Sequence, residues 1–236
     1  MRITNPFKTF KPLDYIVWFS SLAIILVSSL VVKEKNALSI ITSLIGASSL
    51  IFVAKGHPIG QFIIIIFATL YGIKSLTFHY YGEFITYVFM SLPVALLTAI
   101  SWLKHPFEKG QGEVKVENLN AKKWLTLVFS PIVVTTIFYF VLKALSTPNL
   151  IVSTISIATS FSACMMLLFR SPYYAVFYGV NDIVLIVLWS MACKQDITYL
   201  PLVVCFCVFL LNDTYGFISW LLMKKHQQKL LNEETN

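Results

Sequence analysis

Eight long apolar segments follow one another along this chain, with short connections between most of them. Each is close to the roughly 20 residues that a helix needs to cross the hydrocarbon core of a bilayer. Because a bilayer offers the backbone no hydrogen-bond partners, continuous apolar segments cross it as helices. We therefore predict an all-α polytopic membrane protein with about eight transmembrane helices and the lipid bilayer as its first partner. The predicted spans are residues 15–32, 37–54, 58–78, 83–103, 123–145, 150–169, 172–191 and 197–222.

The composition excludes the soluble classes of protein. Only 12% of the residues are charged, against about 25% in soluble domains. The net charge of +7 does not indicate a nucleic-acid partner, because the basic residues lie in the connections and tails that flank the apolar spans. No nucleophile is matched to a base, and no two histidines or cysteines have the spacing of metal ligands. We therefore expect no catalytic residue, no metal and no cofactor, and we do not expect an enzyme.

Lysine and arginine are distributed unevenly between the two sides of the predicted bundle. With the N-terminus inside, 13 of the 18 basic residues fall in cytoplasmic segments, while the outer connections hold the others, Lys33 and Lys35 among them. An excess of basic residues marks the cytoplasmic side of a membrane protein. The sequence therefore predicts that both termini are cytoplasmic.

Spans two to four and spans six to eight share a pattern. Each set has a basic residue at the end of its first helix, a proline soon after it, and a closing Ile-Ser-Trp. These are Lys55, Pro58 and residues 100–102 in the first set, and Arg170, Pro172 and residues 218–220 in the second. One connecting helix between two three-helix units makes them parallel repeats, an architecture of transporters whose site lies near the midplane.

The predicted organisation follows from these repeats. An extra N-terminal helix precedes the first unit, and a charged, glycine-containing linker precedes the connecting helix. The segments are a basic tail (1–14), the extra helix (15–32), the first repeat (37–103), the linker (104–122), the connecting helix (123–145), the second repeat (150–222) and a C-terminal tail (223–236).

Span seven carries the first candidate site. Tyr174, Phe177, Tyr178 and Asn181 share one helical face, at i, i+3, i+4 and i+7, and Asp182 lies at the edge of that face. An amide or carboxylate near the middle of a membrane helix faces protein or a water-filled cavity. An aromatic surface with an amide beside it suits a flat ring with polar edges. The alternative is helix packing, with Asn181 bonded to a neighbouring helix.

Span eight repeats the Asn-Asp pair of span seven. Asn212 and Tyr215 lie one turn apart, and Gly216 leaves space for a close approach by a helix or a substrate. In the first repeat the polar residues are fewer, and Gln61, about one turn into span three, is the candidate. The alternative for Asn212 is a clasp with Asn181 that holds the bundle together.

These features resemble the PnuC family of bacterial nicotinamide riboside transporters across spans two to eight. The resemblance rests on the stretch from residues 160–163 to Arg170, the aromatic entry to span seven, Asn181, and the series Asn212, Gly216, Trp220. Family members have Trp-x-x-Trp-x-x-x-Asn at span seven, and this chain keeps the spacing with Tyr174, Phe177 and Asn181. It also departs from the family at Gln61, Ser153 and Tyr87.

The resemblance implies a fold, a cargo and a mechanism. The fold is a seven-helix core in a 3+1+3 order, similar in shape to the SWEET transporters and assembled as a homotrimer in a bacterial cytoplasmic membrane. The cargo is nicotinamide riboside, with thiamine or a deoxynucleoside as alternatives because relatives carry those. The mechanism is facilitated diffusion with alternating access, drawn inward by a cytosolic kinase that phosphorylates the substrate.

The residues leave two other mechanisms open. Asp182 or Asp213 would balance a cationic ring, or would instead carry protons in an ion-coupled transporter. A membrane subunit that only binds its ligand and needs an energising partner is the other alternative. Neither alternative changes the predicted substrate-binding set, which is Tyr174, Phe177, Tyr178, Asn181, Asp182, Asn212, Tyr215 and Gln61.

Overall fold

The computed structural model describes residues 5–31, 37–77, 81–108, 112–147 and 149–235. Eight apolar helices follow one another in these residues, and no β-strand is present among them, so the all-α prediction is confirmed. Seven of the helices are long and apolar enough to cross a membrane. The helices are α1 (Pro12–Val31), α2 (Ala37–Ala54), α3 (Ile59–Thr77), α4 (Tyr81–Lys104), α5 (Ala121–Ala144), α6 (Leu150–Leu168), α7 (Tyr174–Cys193) and α8 (Leu200–Thr235).

The middle of α4 is a π-helix, Thr86–Ser91. The N–H of Leu92 bonds to the carbonyl of Tyr87, five residues back, instead of four as in an α-helix. Pro93 follows at once and has no N–H of its own, so the regular ladder is interrupted at this point. The wide turn lies where α4 packs against α3 and α6.

Helix contacts have the same form in both predicted repeats. Within the first, α2 packs on α3 and α3 on α4; within the second, α6 packs on α7 and α7 on α8. Between them, α2 contacts α8 and α4 contacts α6. The connecting helix α5 packs on α6, and α1 packs on α2 and α8. This pattern supports the division into repeats, which stays a prediction.

The ends of α2 and α6 are built alike. Both stop at a residue in the left-handed region, Gly56 (φ 62°) and Arg170 (φ 55°). The indole of Trp220 donates to the carbonyl of Val53 at 2.8 Å, and that of Trp102 donates to Leu167 at 3.2 Å. The two indole rings lie 5.5 Å apart. Each Ile-Ser-Trp therefore binds the end of a helix in the other half.

The last helix continues well past its predicted end at residue 222 and reaches Thr235. It stays helical because Met223 and Gln227 are buried against the linker. The described linker residues 105–108 and 112–120 contain no helix, and Pro106 and Val114 form a short antiparallel bridge.

The predicted cytoplasmic orientation of the termini rests partly on basic residues that lie outside the described residues, namely Arg2, Lys33, Lys35 and Lys109. The orientation stays a prediction.

Candidate functional site

A cavity of about 60 Å³ lies among the six helices of the two predicted repeats. Each of α2, α3, α4, α6, α7 and α8 contributes to its lining, whereas α1 and α5 contribute none of the described lining residues. This volume holds roughly four to six water molecules. A larger ligand therefore requires the lining side chains to move apart.

Aromatic rings form a large part of the cavity wall. Four helices supply six rings, and the remaining apolar lining is aliphatic. The Tyr174 and Tyr178 rings stand edge to face with their centroids 6.2 Å apart. Such a wall offers both ring faces and ring edges to a flat ligand. The rings are Phe67, Tyr87, Tyr174, Tyr178, Phe206 and Phe209, and the aliphatic residues are Leu50, Val53, Ile64, Ala68 and Leu167.

Asn181 is the amide in the wall. Its carbonyl oxygen Oδ1 accepts from the hydroxyl of Thr159 at 2.9 Å and from that of Ser156 at 3.3 Å, both on α6. Because these hydroxyls occupy the oxygen, the Nδ2 amino end is the one left to serve a ligand. The oxygen end of Asn181 thus has the packing role predicted as the alternative, while the amino end stays available for the predicted ligand role.

Two carboxyl groups also line the cavity. Asp182 on α7 and Asp213 on α8 are both buried, and their carboxyl groups lie close enough to interact. Oδ2 of Asp182 has no hydrogen-bond partner among the described residues. Two carboxylates that share a buried site repel each other, which favours a state with one proton and a single negative charge on the pair. The described lining contains no lysine, arginine or histidine to balance it.

Four of the eight predicted site residues lie in this wall: Tyr174, Tyr178, Asn181 and Asp182. Phe177 is half-buried and packs against a neighbouring apolar cluster instead. Helical spacing places Phe177 on one broad face of α7 with Tyr174 and Tyr178, but only part of that face meets the cavity.

Asn212 and Tyr215 lie on another side of α8, against α1. The amide Nδ2 of Asn212 donates to the hydroxyl of Ser21 at 2.8 Å, and the hydroxyl of Tyr215 donates to Asp14. Asp14 also forms an ion pair with Lys55 at 3.3 Å. Since Asn181 bonds to α6 and Asn212 to α1, the two amides do not form the predicted clasp. These contacts dock the extra helix.

Gln61 is fully buried in the first turn of α3, outside the cavity lining. Neither end of its amide has a hydrogen-bond partner among the described residues. It lies on the same helical face as Ile64 and Ala68, which do line the cavity.

The sequence signal for the α8 wall is a spacing. Phe206, Phe209, Asp213 and Trp220 follow one another at intervals of three, four and seven residues, which is one face of a helix. This spacing identifies Asp213 as the residue of α8 that shares a face with the aromatic lining. Asn212 and Tyr215 lie on another face of the helix. Ser49, Ser91 and Ser160 complete the polar lining, and no pattern in the sequence marks them.

Comparisons with known proteins agree with this architecture. The nicotinamide riboside transporter PnuC of Neisseria mucosa is 28% identical over 195 residues, which cover 80% of this chain and 74% of the relative. The crystal structure of the vitamin B3 transporter PnuC superposes with a TM-score of 0.80 at 24% identity, over 92% of this chain and 94% of that one. The model of the nicotinamide mononucleotide transporter family matches residues 36–222. The predicted resemblance is confirmed, and the chain belongs to this family of membrane transporters.

Proposed function

We propose that this transporter carries nicotinamide riboside, a flat, positively charged nucleoside. The observation that carries the proposal is the combination, in one cavity, of an aromatic wall, a free amide donor and a carboxyl pair with no basic neighbour in the described lining. Each of these matches one part of the molecule: the pyridinium ring, its carboxamide and its charge.

The aromatic wall suits the pyridinium ring. Tyr174, Tyr178 and Tyr87 offer ring faces, and an aromatic face attracts a cation as well as stacking on a flat ring. Tyrosine at the place of the family's first tryptophan keeps both properties with a smaller surface. The stacking role predicted for Tyr174 and Tyr178 is retained, and Tyr87 takes the place that was assigned to Phe177.

The riboside fits this cavity better than the mononucleotide. A phosphate brings negative charge into the site, and proteins bind phosphate with arginine, lysine or helix N-termini. The described lining has no basic side chain and has two carboxyl groups. Burying a phosphate there would place like charges together without a partner, which disfavours the mononucleotide strongly.

The mechanism that we propose is facilitated diffusion by alternating access. The units 37–103 and 150–222 rock about the cavity, with both termini on the cytoplasmic side of a bacterial cytoplasmic membrane. A cytosolic kinase that phosphorylates the substrate would keep uptake directed inward, and the assembly is a homotrimer. The contact pattern of the helices, which is alike in the two units, supports the rocking motion.

The substrate is tested by a thermal-shift panel on the purified protein with nicotinamide riboside, its mononucleotide, thiamine and several deoxynucleosides. A ligand at a hundred times its Kd stabilises the fold by about 2.7 kcal/mol. We expect nicotinamide riboside to stabilise and the mononucleotide not to. Stabilisation by thiamine or a deoxynucleoside alone would replace the proposed cargo.

Asn181→Ala is expected to weaken binding of nicotinamide riboside by about tenfold or more. The loss of a buried hydrogen bond costs about 1–3 kcal/mol, and the partner group on the substrate would be left unpaired. The matched control is Asn212→Ala, which removes an equally buried amide that contacts α1 rather than the cavity. Calorimetry measures the affinity of both variants for nicotinamide riboside. Equal affinities would show that Asn181 does not bind the substrate.

The carboxyl pair favours one second candidate, transport coupled to protons. Asp182 and Asp213 both line the cavity, and a buried carboxyl pair that carries a single negative charge holds a proton, which a transport cycle can release. In vesicles that lack any kinase, coupled uptake stops when an uncoupler dissipates the gradient, whereas facilitated diffusion continues. Purified protein in liposomes also separates a complete carrier from a subunit that only binds, because only a carrier equilibrates its substrate.

A further inference from the structure

The linker between α4 and α5 closes one end of the bundle. Its residues 113–117, hereafter the strap, cross the ends of both halves. The N–H of Val114 donates to the carbonyl of Gly56 at the end of α2, at 3.1 Å. The N–H of Glu117 donates to the carbonyl of Arg170 at the end of α6, also at 3.1 Å. The strap therefore joins the two units that rock against each other in the proposed cycle.

The strap is also held from the other side. The amide of Gln227, on the extension of α8, donates to the carbonyl of Val114 at 3.0 Å and to Glu113 at 2.7 Å, and it accepts from the N–H of Val116 at 2.9 Å. These bonds explain why α8 continues beyond the membrane span. The ends of α2 and α6 and the extension of α8 thus all bind this five-residue strap.

Val114 fills the space directly beneath the cavity. Its side chain is 0% exposed and belongs to one apolar cluster with Val53, Leu167 and Tyr174, which all line the cavity. Val114 is closely packed against Gly56, because a Cβ atom added to Gly56 would lie 3.2 Å from the Val114 side chain.

A charged contact fastens the strap at Arg170. The guanidinium forms an ion pair with Glu117 and donates to the carbonyl of Lys115 at 3.2 Å and to the hydroxyl of Ser101 at 3.0 Å. Burial desolvates the Glu117 carboxyl, but the hydrogen bond from Lys123 and the charge of Arg170 outweigh this, so the pKa of Glu117 lies below its ordinary value. The carboxylate is therefore charged at neutral pH and holds the strap.

Gln61 lies between the cavity residues of α3 and the end of α2 that binds the strap. It shares the face of α3 with Ile64 and Ala68 and lies one turn nearer that end. Its buried amide has no hydrogen-bond partner among the described residues, which is destabilising until water or a ligand reaches it. Its position is that of a residue which gains partners once this end of the bundle opens.

We infer that the strap is the inner gate of the transporter: Val114 closes the exit from the cavity, and substrate leaves toward the cytoplasm only after the strap lifts from Gly56 and Arg170. The inference rests on the proposed function for its transport cycle and for the cytoplasmic side of the strap. That the strap lies at one end of the cavity rests on its own contacts.

The test is the accessibility of Val114→Cys to a membrane-impermeant maleimide in inside-out vesicles. The four native cysteines, Cys164, Cys193, Cys205 and Cys207, are first replaced by alanine. We expect slow labelling in this background and labelling about fivefold faster when Glu117→Gln is added, because the loss of a partly buried ion pair shifts the equilibrium by about that factor. Right-side-out vesicles should show no labelling.

Two controls match this design. Lys115→Cys, exposed and one residue away, should be labelled fast in every background, which shows that the reagent reaches the linker. Glu233→Gln removes an exposed ion pair with Lys229 and should leave the labelling of Val114→Cys unchanged. The affinity for nicotinamide riboside should stay within about twofold in Glu117→Gln, since Glu117 does not line the cavity.

The inference fails if Val114→Cys is labelled at the same slow rate with and without Glu117→Gln while the protein still transports. A static strap would then lie beside the path rather than across it. Failure of the proposed function looks different, because it appears as an absence of nicotinamide riboside binding or uptake in the parent protein, whatever the labelling rate.

Discussion

A variant with asparagine at both 182 and 213 is expected to lose the preference for a positively charged substrate over an uncharged one of the same shape. Either single variant is expected to keep it. The carboxyl groups of Asp182 and Asp213 lie together in the cavity wall, where repulsion between two carboxylates favours one negative charge on the pair. An Asn-Asp pair imitates that arrangement and still carries one negative charge, whereas an Asn-Asn pair carries none.

The measurement compares nicotinamide riboside, which is cationic, with its dihydro form, which is neutral. Truncating one partner of a buried charge pair costs about 2–5 kcal/mol, so the preference should fall by roughly 30-fold or more in the double variant. Binding of the neutral form by that variant shows that it is folded. If both single variants also lose the preference, one negative charge is not sufficient for it, and the role assigned to the carboxyl pair is wrong.

Trp220→Ala is expected to lower the free energy of unfolding by about 3–5 kcal/mol, as for other buried aromatic residues. The side chain is 0% exposed and contacts the rings of Trp102 and Tyr174, with centroids 5.5 Å and 5.1 Å away. Its N–H also binds Val53 at 2.8 Å. The change therefore removes packing and a hydrogen bond at the floor of the cavity together.

Two controls separate these contributions. Trp220→Phe keeps a ring in place and should cost about 1–3 kcal/mol, mainly because the carbonyl of Val53 loses one donor. Trp124→Ala, at a side chain 48% exposed on α5, should change stability by no more than about 0.5 kcal/mol. Unfolding in one detergent at one temperature measures all three, and an equal loss for Trp220→Ala and Trp124→Ala would contradict the assigned role.

The helices themselves were predictable from the sequence, because the length of an apolar segment is set by the thickness of a bilayer. Their ends were less so. The end of α8 depends on Gln227, whose amide binds a strap more than a hundred residues earlier in the chain, and no local pattern records such a contact. The π-helical turn of α4 was likewise marked only by Pro93.

The site was half predictable. On α7 the helical spacing placed Tyr174, Tyr178 and Asn181 together, and the cavity lies on that face. On α8 the neighbouring residues Asn212 and Asp213 point to different partners, since successive residues of a helix are about 100° apart. Which of them faces the cavity depends on where α1 packs, and α1 precedes the residues that match the family model.

The π-helical turn in α4 takes up one residue more than an α-helical turn. Between Thr86 and Ser91 the hydrogen bonds join residues five apart, so the extra residue is held in a wider turn and the helix that follows keeps its facing. In the regular part of α4, by contrast, one residue corresponds to about 100° of rotation. Inserting one residue between Leu92 and Trp102 would therefore turn Trp102 away from the carbonyl of Leu167. The number of residues in this part of the helix is as strict a requirement as their identity.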